Sequence, residues 1–430
     1  MREVILSFKS KNMSQLILQT QIIDPSSDFH LQTKNVLIEN GTITYIGDET
    51  LYADEIINAE GTVLSNGWFD FRASFRDPGD EHKEDLVSGS KAAVYGGFTD
   101  VALLPNTQPA IQHKEQIAYI KSKQTKLVNL HPYAFLSLNG KGEEMTEMYD
   151  LHHAGAVGFT DANKPIWHTG RMVKSLQYLQ TFNGLLIQHA EELSLTAYGQ
   201  MNEGKTSTYL GLKGIPKLAE ELMVSRDIEL LKYSGGRIHF SRVSSPKSLE
   251  LIKNAKKQGL QVSCDVAVHH LIFTDKDVQT FDTNYKLNPP LRSKETQQAL
   301  WKALSEDVID VIVSDHAPQD EENKKLEFDQ AAFGSSSIQT LVSVLNTAGK
   351  LPLEKLIQKI TTAPRTLLNL PQLKIEVGAN AVLTLFSPSI EWEFTKAENK
   401  SKSENSPYLG KKLKGKVVAV WNNGEFINIE

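Results

Sequence analysis

Between residues 68 and 346 the chain alternates short apolar runs with longer amphipathic ones, and this alternation limits the fold more than any other feature. The apolar runs fall at 68–71, 99–104, 127–136, 156–159, 185–189, 237–240, 261–268 and 308–313, and they have the length and the β-branched and aromatic content of strands. Each leads into a helical pattern, at 83–95, 113–123, 145–153, 171–181, 216–233, 246–258, 295–305 and 336–346. A strand that returns through a helix to a parallel strand makes a right-handed βαβ unit. Repeated around a closed ring, such units give a (β/α)8 TIM-like barrel, an α/β fold whose catalytic groups sit where the strands end.

The flanks read differently. Residues 15–24, 35–38 and 42–47 are β-prone, with the hairpin-forming pair Asn40-Gly41 between the last two runs. After helical stretches to about residue 370, strand character returns at 381–386 and 416–421. The expected organisation is a small β-sandwich-like domain built from both chain ends, 1–65 with 375–430, and a barrel over 66–374. Residues 396–405, K-A-E-N-K-S-K-S-E-N, are low in hydrophobic residues and read as a solvated loop. Residues 1–12 precede a second methionine, Met13, and are expected to be a dispensable extension.

The bulk properties exclude several classes of function. With 430 residues, 40% of them hydrophobic, the chain can bury a large core. A formal net charge of −6 gives no reason to expect nucleic acid or an anionic membrane as a partner. No apolar run is long enough to span a bilayer, and no secretory signal is evident. The single cysteine, Cys264, excludes an intrachain disulfide and suits a cytoplasmic protein; lying in an apolar run, it reads as a core residue. Neither a Walker-type nor a G-x-G-x-x-G phosphate loop occurs.

Motifs at the ends of the apolar runs carry the chemical information. Residues 66–79 read N-G-W-F-D-F-R-A-S-F-R-D-P-G. Later come Leu104-Pro105-Asn106-Thr107, Gln188-His189-Ala190-Glu191, Lys286-Leu287-Asn288-Pro289-Pro290-Leu291-Arg292 and Ser314-Asp315-His316-Ala317-Pro318. In order and spacing this set resembles the dihydroorotase branch of the cyclic amidohydrolases. That family writes D-x-H-x-H-x-R with a D/E-P-G turn, then M-P-N-T, A-H-C-E, K-M-N-P-P-L-R and T-D-H-A-P. The likeness runs from about residue 14 to 427. It implies a cyclic-amide hydrolase of pyrimidine biosynthesis, interconverting carbamoyl-aspartate and dihydroorotate. Such chemistry rests on a divalent metal that polarises the carbonyl and activates water. In this chain the resemblance places Asp315 as the catalytic position and His189 and Asp315 as metal positions. It assigns substrate contacts to Arg76, Asn106, Asn288, Phe333 and Gly334.

Several ligand positions depart from the family pattern. Arg72 and Ser74 stand at the two histidines of H-x-H, and Arg242 stands at the strand-6 histidine, in H-F-S-R-V-S. Ala162 falls at the bridging acidic position after strand 4, or Asp161 does if the register shifts by one. Gln319 replaces the second histidine of D-H-A-P-H. Only two ligands remain, where a zinc site normally has at least three. A guanidinium neither coordinates nor loses its proton, so Arg72 and Arg242 oppose a cation. One of them is expected to pair with Asp315, because an unpaired buried carboxylate is costly. His269, His270 and His316 lie near the mouth. They would either rebuild a mononuclear site or hydrogen-bond the mouth loops, and extended geometry would turn one of each adjacent pair away from the centre.

Two functions follow from the resemblance. One is a non-catalytic homologue with a degraded metal site, no cofactor, and a scaffold or partner role; aspartate carbamoyltransferase is then the candidate partner, a small carboxylate the candidate ligand and a homodimer the default assembly. The other is an active dihydroorotase with an altered zinc site.

Overall fold

The computed structural model describes residues 13–429, so the expectation about residues 1–12 lies outside the described residues. Three strands open the fold: β1 (Gln15–Ile23), β2 (Thr33–Glu39) and β3 (Thr42–Gly47). Asn40 and Gly41 join β2 to β3 with φ of 52° and 76°, the left-handed pair that a tight hairpin turn requires. β4 (Glu55–Asn58) and β5 (Val63–Asn66) both run parallel to β1.

The barrel begins with β6 (Trp68–Ala73), α1 (Leu86–Tyr95), β7 (Phe98–Leu103) and α2 (Lys114–Ser122). Its third strand is split into β8 (Asn129–Pro132) and β9 (Ala134–Phe135), followed by α3 (Met148–Ala154), β10 (Phe159–Thr160), α4 (Thr169–Leu179) and β11 (Leu186–Gln188). An excursion of α5 (Leu193–Thr196), β12 (Met201–Asn202), α6 (Lys205–Leu210) and β13 (Gly214–Ile215) precedes the helix α7 (Lys217–Ser234). Then come β14 (Ile238–Phe240), α8 (Pro246–Lys257), β15 (Val262–Ala267), α9 (Val268–Ile272), α10 (Lys294–Ser305) and β16 (Val311–Val313). After α11 (Glu321–Lys324), α12 (Leu341–Ala348), α13 (Leu353–Lys359) and α14 (Thr362–Leu367), the chain ends in β17 (Leu383–Glu393), β18 (Lys412–Asn422) and β19 (Glu425–Asn428).

Parallel pairing runs β6-β7-β8 and β9-β10-β11-β14-β15-β16, and a parallel bridge from Ala73 to His316 joins the two arcs. This is the expected (β/α)8 barrel. The terminal strands form one sheet in the order β19-β18-β17-β5-β1-β2-β3, so both chain ends contribute to it, also as expected. Phe69, Phe71, Tyr133, Ile187, Val311 and Val313 belong to one buried apolar cluster, and Ile17, Ile22, Leu383 and Trp421 to a second within the terminal sheet.

Two expectations are corrected. Residues 396–405 are not a solvated loop: Ser401, Ser403 and Asn405 are buried. Hydroxyl and amide groups can be buried where hydrogen bonds satisfy them, and these are satisfied by the barrel. His269 and His270 lie in the short helix α9 and not on an extended strand, so the alternation argument does not apply to them.

Trp68 joins the two halves. It packs edge-on against Phe98 at 6.0 Å and against Phe386 of β17 at 5.7 Å, and its indole Nε1 donates to Ser65 Oγ at 2.9 Å. Trp68→Ala is expected to lower the unfolding free energy by roughly 3–5 kcal/mol, checked by urea titration followed by circular dichroism.

Candidate active site

The strand ends converge on Asp315, just past β16. Arg72, on β6, donates from Nε to Asp315 Oδ1 at 2.9 Å and from Nη2 to Asn163 Oδ1 at 2.6 Å. Arg242, just past β14, places Nη1 3.4 Å from Asp315 Oδ2, so the Arg72 contact is the tight one and the Arg242 contact the loose one. The same Nη1 donates to the Asn288 carbonyl at 2.6 Å. Arg242 Nη2 lies 3.1 Å from His189 Nδ1. A guanidinium only donates, so Nδ1 accepts and Nε2 carries the imidazole proton, which it gives to Glu191 Oε2 at 2.9 Å. Asn288 Nδ2 donates to the same Glu191 oxygen at 3.0 Å.

Electrostatics follow from burial and these pairings. Burial by itself would raise the Asp315 carboxyl; the guanidiniums of Arg242 and Arg72 overcome it and hold the group below its ordinary value. Burial, and then Arg72, pushes Arg242 down to about 10, which leaves it charged at neutral pH. Burial and the neighbouring Arg242 lower His189, so its imidazole is neutral. Glu191 resists its own burial through the His189 hydrogen bond and falls to about 2. Beneath the centre, Asp70 accepts from Ser314 N at 3.0 Å and from Ser314 Oγ, and burial lifts it to about 7.

The other positions singled out from the sequence are placed as follows. Ser74 Oγ donates to Asn106 Oδ1 at 3.1 Å. Arg76 has a left-handed backbone, φ 61°, and a buried Nε without a hydrogen-bond partner. Ala162, φ 61°, packs in the same apolar cluster as Phe71, while the Asp161 carboxylate receives Ser137 N at 2.9 Å and Ser137 Oγ at 2.6 Å. The polar contact from this strand end to Arg72 therefore comes from Asn163. Phe333 and Gly334 sit in the loop after β16. The Phe333 carbonyl accepts from Gln319 Nε2 at 2.9 Å. Gly334 has φ 123°, and a Cβ there would lie 2.5 Å from the Ala317 carbonyl oxygen, so glycine is required by close approach.

The mouth histidines are engaged by loops. His269 Nδ1 pairs with Tyr408 OH at 3.0 Å, His270 Nε2 donates to the Pro289 carbonyl at 2.9 Å, and His316 Nδ1 accepts from Ser337 N at 3.1 Å. Burial lowers His269 to about 3 and His270 to about 4. Among the described residues no three histidine, cysteine, aspartate or glutamate side chains are grouped so as to hold a metal ion.

Sequence reasoning missed three participants. Glu191 was legible, because it stands two residues from His189 and such pairs share a side of an extended segment. Asn163 and Asp265 had no motif to flag them; Asp265 accepts from His239 Nε2 at 2.9 Å and from the Arg242 backbone N at 2.6 Å, which fixes the start of the Arg242 turn.

Asp315→Asn would leave two buried guanidiniums without their shared counter-charge, and a loss of roughly 3–5 kcal/mol is expected at pH 7. A depressed carboxyl contributes stability that is present above its unfolded value of about 3.9 and is lost as pH falls through the folded one. The gap between wild type and Asp315→Asn, measured by urea titration, is therefore expected to narrow below about pH 3.9.

Comparison with known proteins bears on this geometry. The family model described as dihydro-orotase-like matches residues 61–248. A dihydroorotase of Syntrophus aciditrophicus is 37% identical over 423 residues, covering 96% of this chain and 99% of that protein. A dihydroorotase of Acetivibrio thermocellus is 39% identical over 419 residues, 96% of this chain and 98% of the relative. Among solved structures, the L-hydantoinase (dihydropyrimidinase) of Arthrobacter aurescens superposes with a TM-score of 0.84 at 23% identity, over 96% of each chain, which supports the fold. From near-full-length identity at this level, the chain belongs to the dihydroorotase family of the cyclic amidohydrolase superfamily.

Proposed function

We propose that this protein is a dihydroorotase-family member of pyrimidine biosynthesis in which a guanidinium pair takes over the electrostatic place of the family's metal, and that it does not catalyse hydrolysis. The observation that carries this reading is Arg242, whose Nη2 meets His189 Nδ1 at 3.1 Å while its Nη1 faces Asp315. Both remaining ligand positions already face guanidinium donors. The residues present do not fit a divalent cation, since two permanent positive charges line the place it would take.

The same contacts remove the other parts of the reaction. A guanidinium balances the Asp315 charge but has no open coordination position from which to activate water. Asp315, held below the ordinary carboxylate value by Arg242 and Arg72 despite its burial, is a weak base. His189 is neutral, and its one free lone pair is occupied by Arg242. Arg76 Nε is buried without a hydrogen-bond partner, as are Arg242 Nε and one ring nitrogen each of His269, His270 and His316; the open donor on Arg76 supports a small carboxylate as the ligand of the mouth. A scaffold role alongside aspartate carbamoyltransferase, as a homodimer, completes this reading.

A second reading is favoured by the relatives, which bear the name dihydroorotase at 37–39% identity over nearly their whole length. In it the chain interconverts carbamoyl-aspartate and dihydroorotate through an altered zinc site, which would require Arg72 and Arg242 to swing away from Asp315.

Zinc content and dihydroorotate hydrolysis, measured on one zinc-supplemented preparation after gel filtration, separate the two. The expected outcome is neither retained zinc nor turnover, with co-elution when aspartate carbamoyltransferase is added. Near-stoichiometric zinc with turnover would establish the second reading instead.

A further inference from the structure

Between β17 and β18 the chain leaves the terminal sheet and crosses the rim of the barrel mouth. Two buried aromatic residues bound this crossing. Phe394 lies at one end; Tyr408, stacked on His269 with ring centroids 5.6 Å apart, lies at the other. Residues 395–407 between them carry no large apolar side chain. They are nevertheless attached at many points, and nearly all of the attachments are polar.

The attachments go to the loops after the first and last barrel strands. Ser403 Oγ lies 2.8 Å from the Lys83 carbonyl oxygen and 2.7 Å from the Gln319 carbonyl oxygen, and its single proton serves the two between them, so one hydroxyl spans both loops. Asn405 accepts from Gln319 N at 3.1 Å and donates to the Gly334 carbonyl at 3.1 Å. Lys402 forms an ion pair with Asp85 and donates to the Glu81 carbonyl at 2.9 Å. At the centre is Glu84, fully buried, whose carboxylate accepts from Ser401 Oγ, from Ser88 Oγ and from Lys402 N at 3.2 Å. The oxygen that accepts from Ser401 also lies 3.4 Å from His316 Nε2, one residue from Asp315.

We propose that residues 395–407 are a hydrogen-bonded latch that locks the first and last mouth loops together, with Glu84 as its keeper, and that the latch opens as a unit while the barrel stays folded. Local opening is inexpensive where few apolar contacts are lost and water can replace the hydrogen bonds. The two aromatic anchors confine the opening to the segment between them. Beside the latch lies an open cleft of about 710 Å³, bordered by Lys396, Glu404 and Asn405 of the latch and by Phe281, Lys324 and Leu326 of the barrel. Opening removes one wall of this cleft and releases the loop that carries Arg76. The latch therefore gates the mouth whether or not the mouth is catalytic.

Hydrogen–deuterium exchange on the full chain, at urea concentrations below the unfolding transition, tests this. Residues 396–405 are expected to exchange at least tenfold faster than the strands β11, β14 and β15, with little dependence on urea. Glu84→Gln is expected to speed exchange at 396–405 and at 76–85 together by tenfold or more, leaving those strands unchanged. Ser401→Ala, which removes the hydroxyl's bond to Glu84 and the one it accepts from Ser403 N, is expected to do the same to a smaller extent and serves if Glu84→Gln fails to fold. Exchange of 396–405 only through global unfolding would overturn the latch, and acceleration of 396–405 in both variants with 76–85 unchanged would overturn its grip on the mouth.

Discussion

A carboxylate removed from water must find positive charge, and Asp315 finds it in two guanidiniums that arrive from either side of β16, Arg72 from β6 and Arg242 from beyond β14. The rest of the mouth is arranged around this requirement. Arg72 is steadied by Asn163, Arg242 by the Asn288 carbonyl and by His189, and His189 in turn by Glu191. Each donor in this chain fixes the hydrogen-bonding role of the next, so the tautomer of His189 follows from the presence of Arg242. Two like charges held close are costly by themselves, which is why Arg72 lowers Arg242 and why the shared carboxylate between them is needed.

The architecture was legible because strand–helix alternation is a global pattern that no single residue can disguise. The pairing of Arg72 with Asp315 was legible for a different reason: burial and charge balance leave few alternatives once a ligand has become a cation. What escaped was set by tertiary contact. The polarity of residues 396–405 suggests solvent, yet Ser403 and Asn405 are buried because backbone groups of two distant loops need partners. The helical placement of His269 and His270 depends on how β15 ends, which local periodicity does not reveal. Asn163 joined the site only because Asp161 turned to Ser137.

The backbone carries its own record. Arg76, Ala162, Arg242 and Asp315 all adopt left-handed conformations, with φ of 61°, 61°, 59° and 49°. Each costs on the order of 1 kcal/mol for a residue with a Cβ. Strain of this sort persists where the surrounding structure over-determines it, and it gathers at functional positions. At Ala162 no side-chain hydrogen bond can repay it. Two of the four, Ala162 and Arg242, are positions whose side chains differ from the family pattern, and two, Arg76 and Asp315, match it.

The pairing of β5 with β17 has a consequence for how the protein is made. β5 is synthesised before the barrel and β17 after it, and they are neighbours in one sheet. Until β17 emerges, β5 presents an open edge, and open edges recruit wrong partners. The segment that closes this edge also continues directly into residues 395–407, which tie the mouth loops together. Vectorial synthesis therefore finishes the sheet and the mouth in one late step, and a nascent chain lacking its C-terminal strands would carry a formed barrel with an unpaired edge below and unlocked loops above.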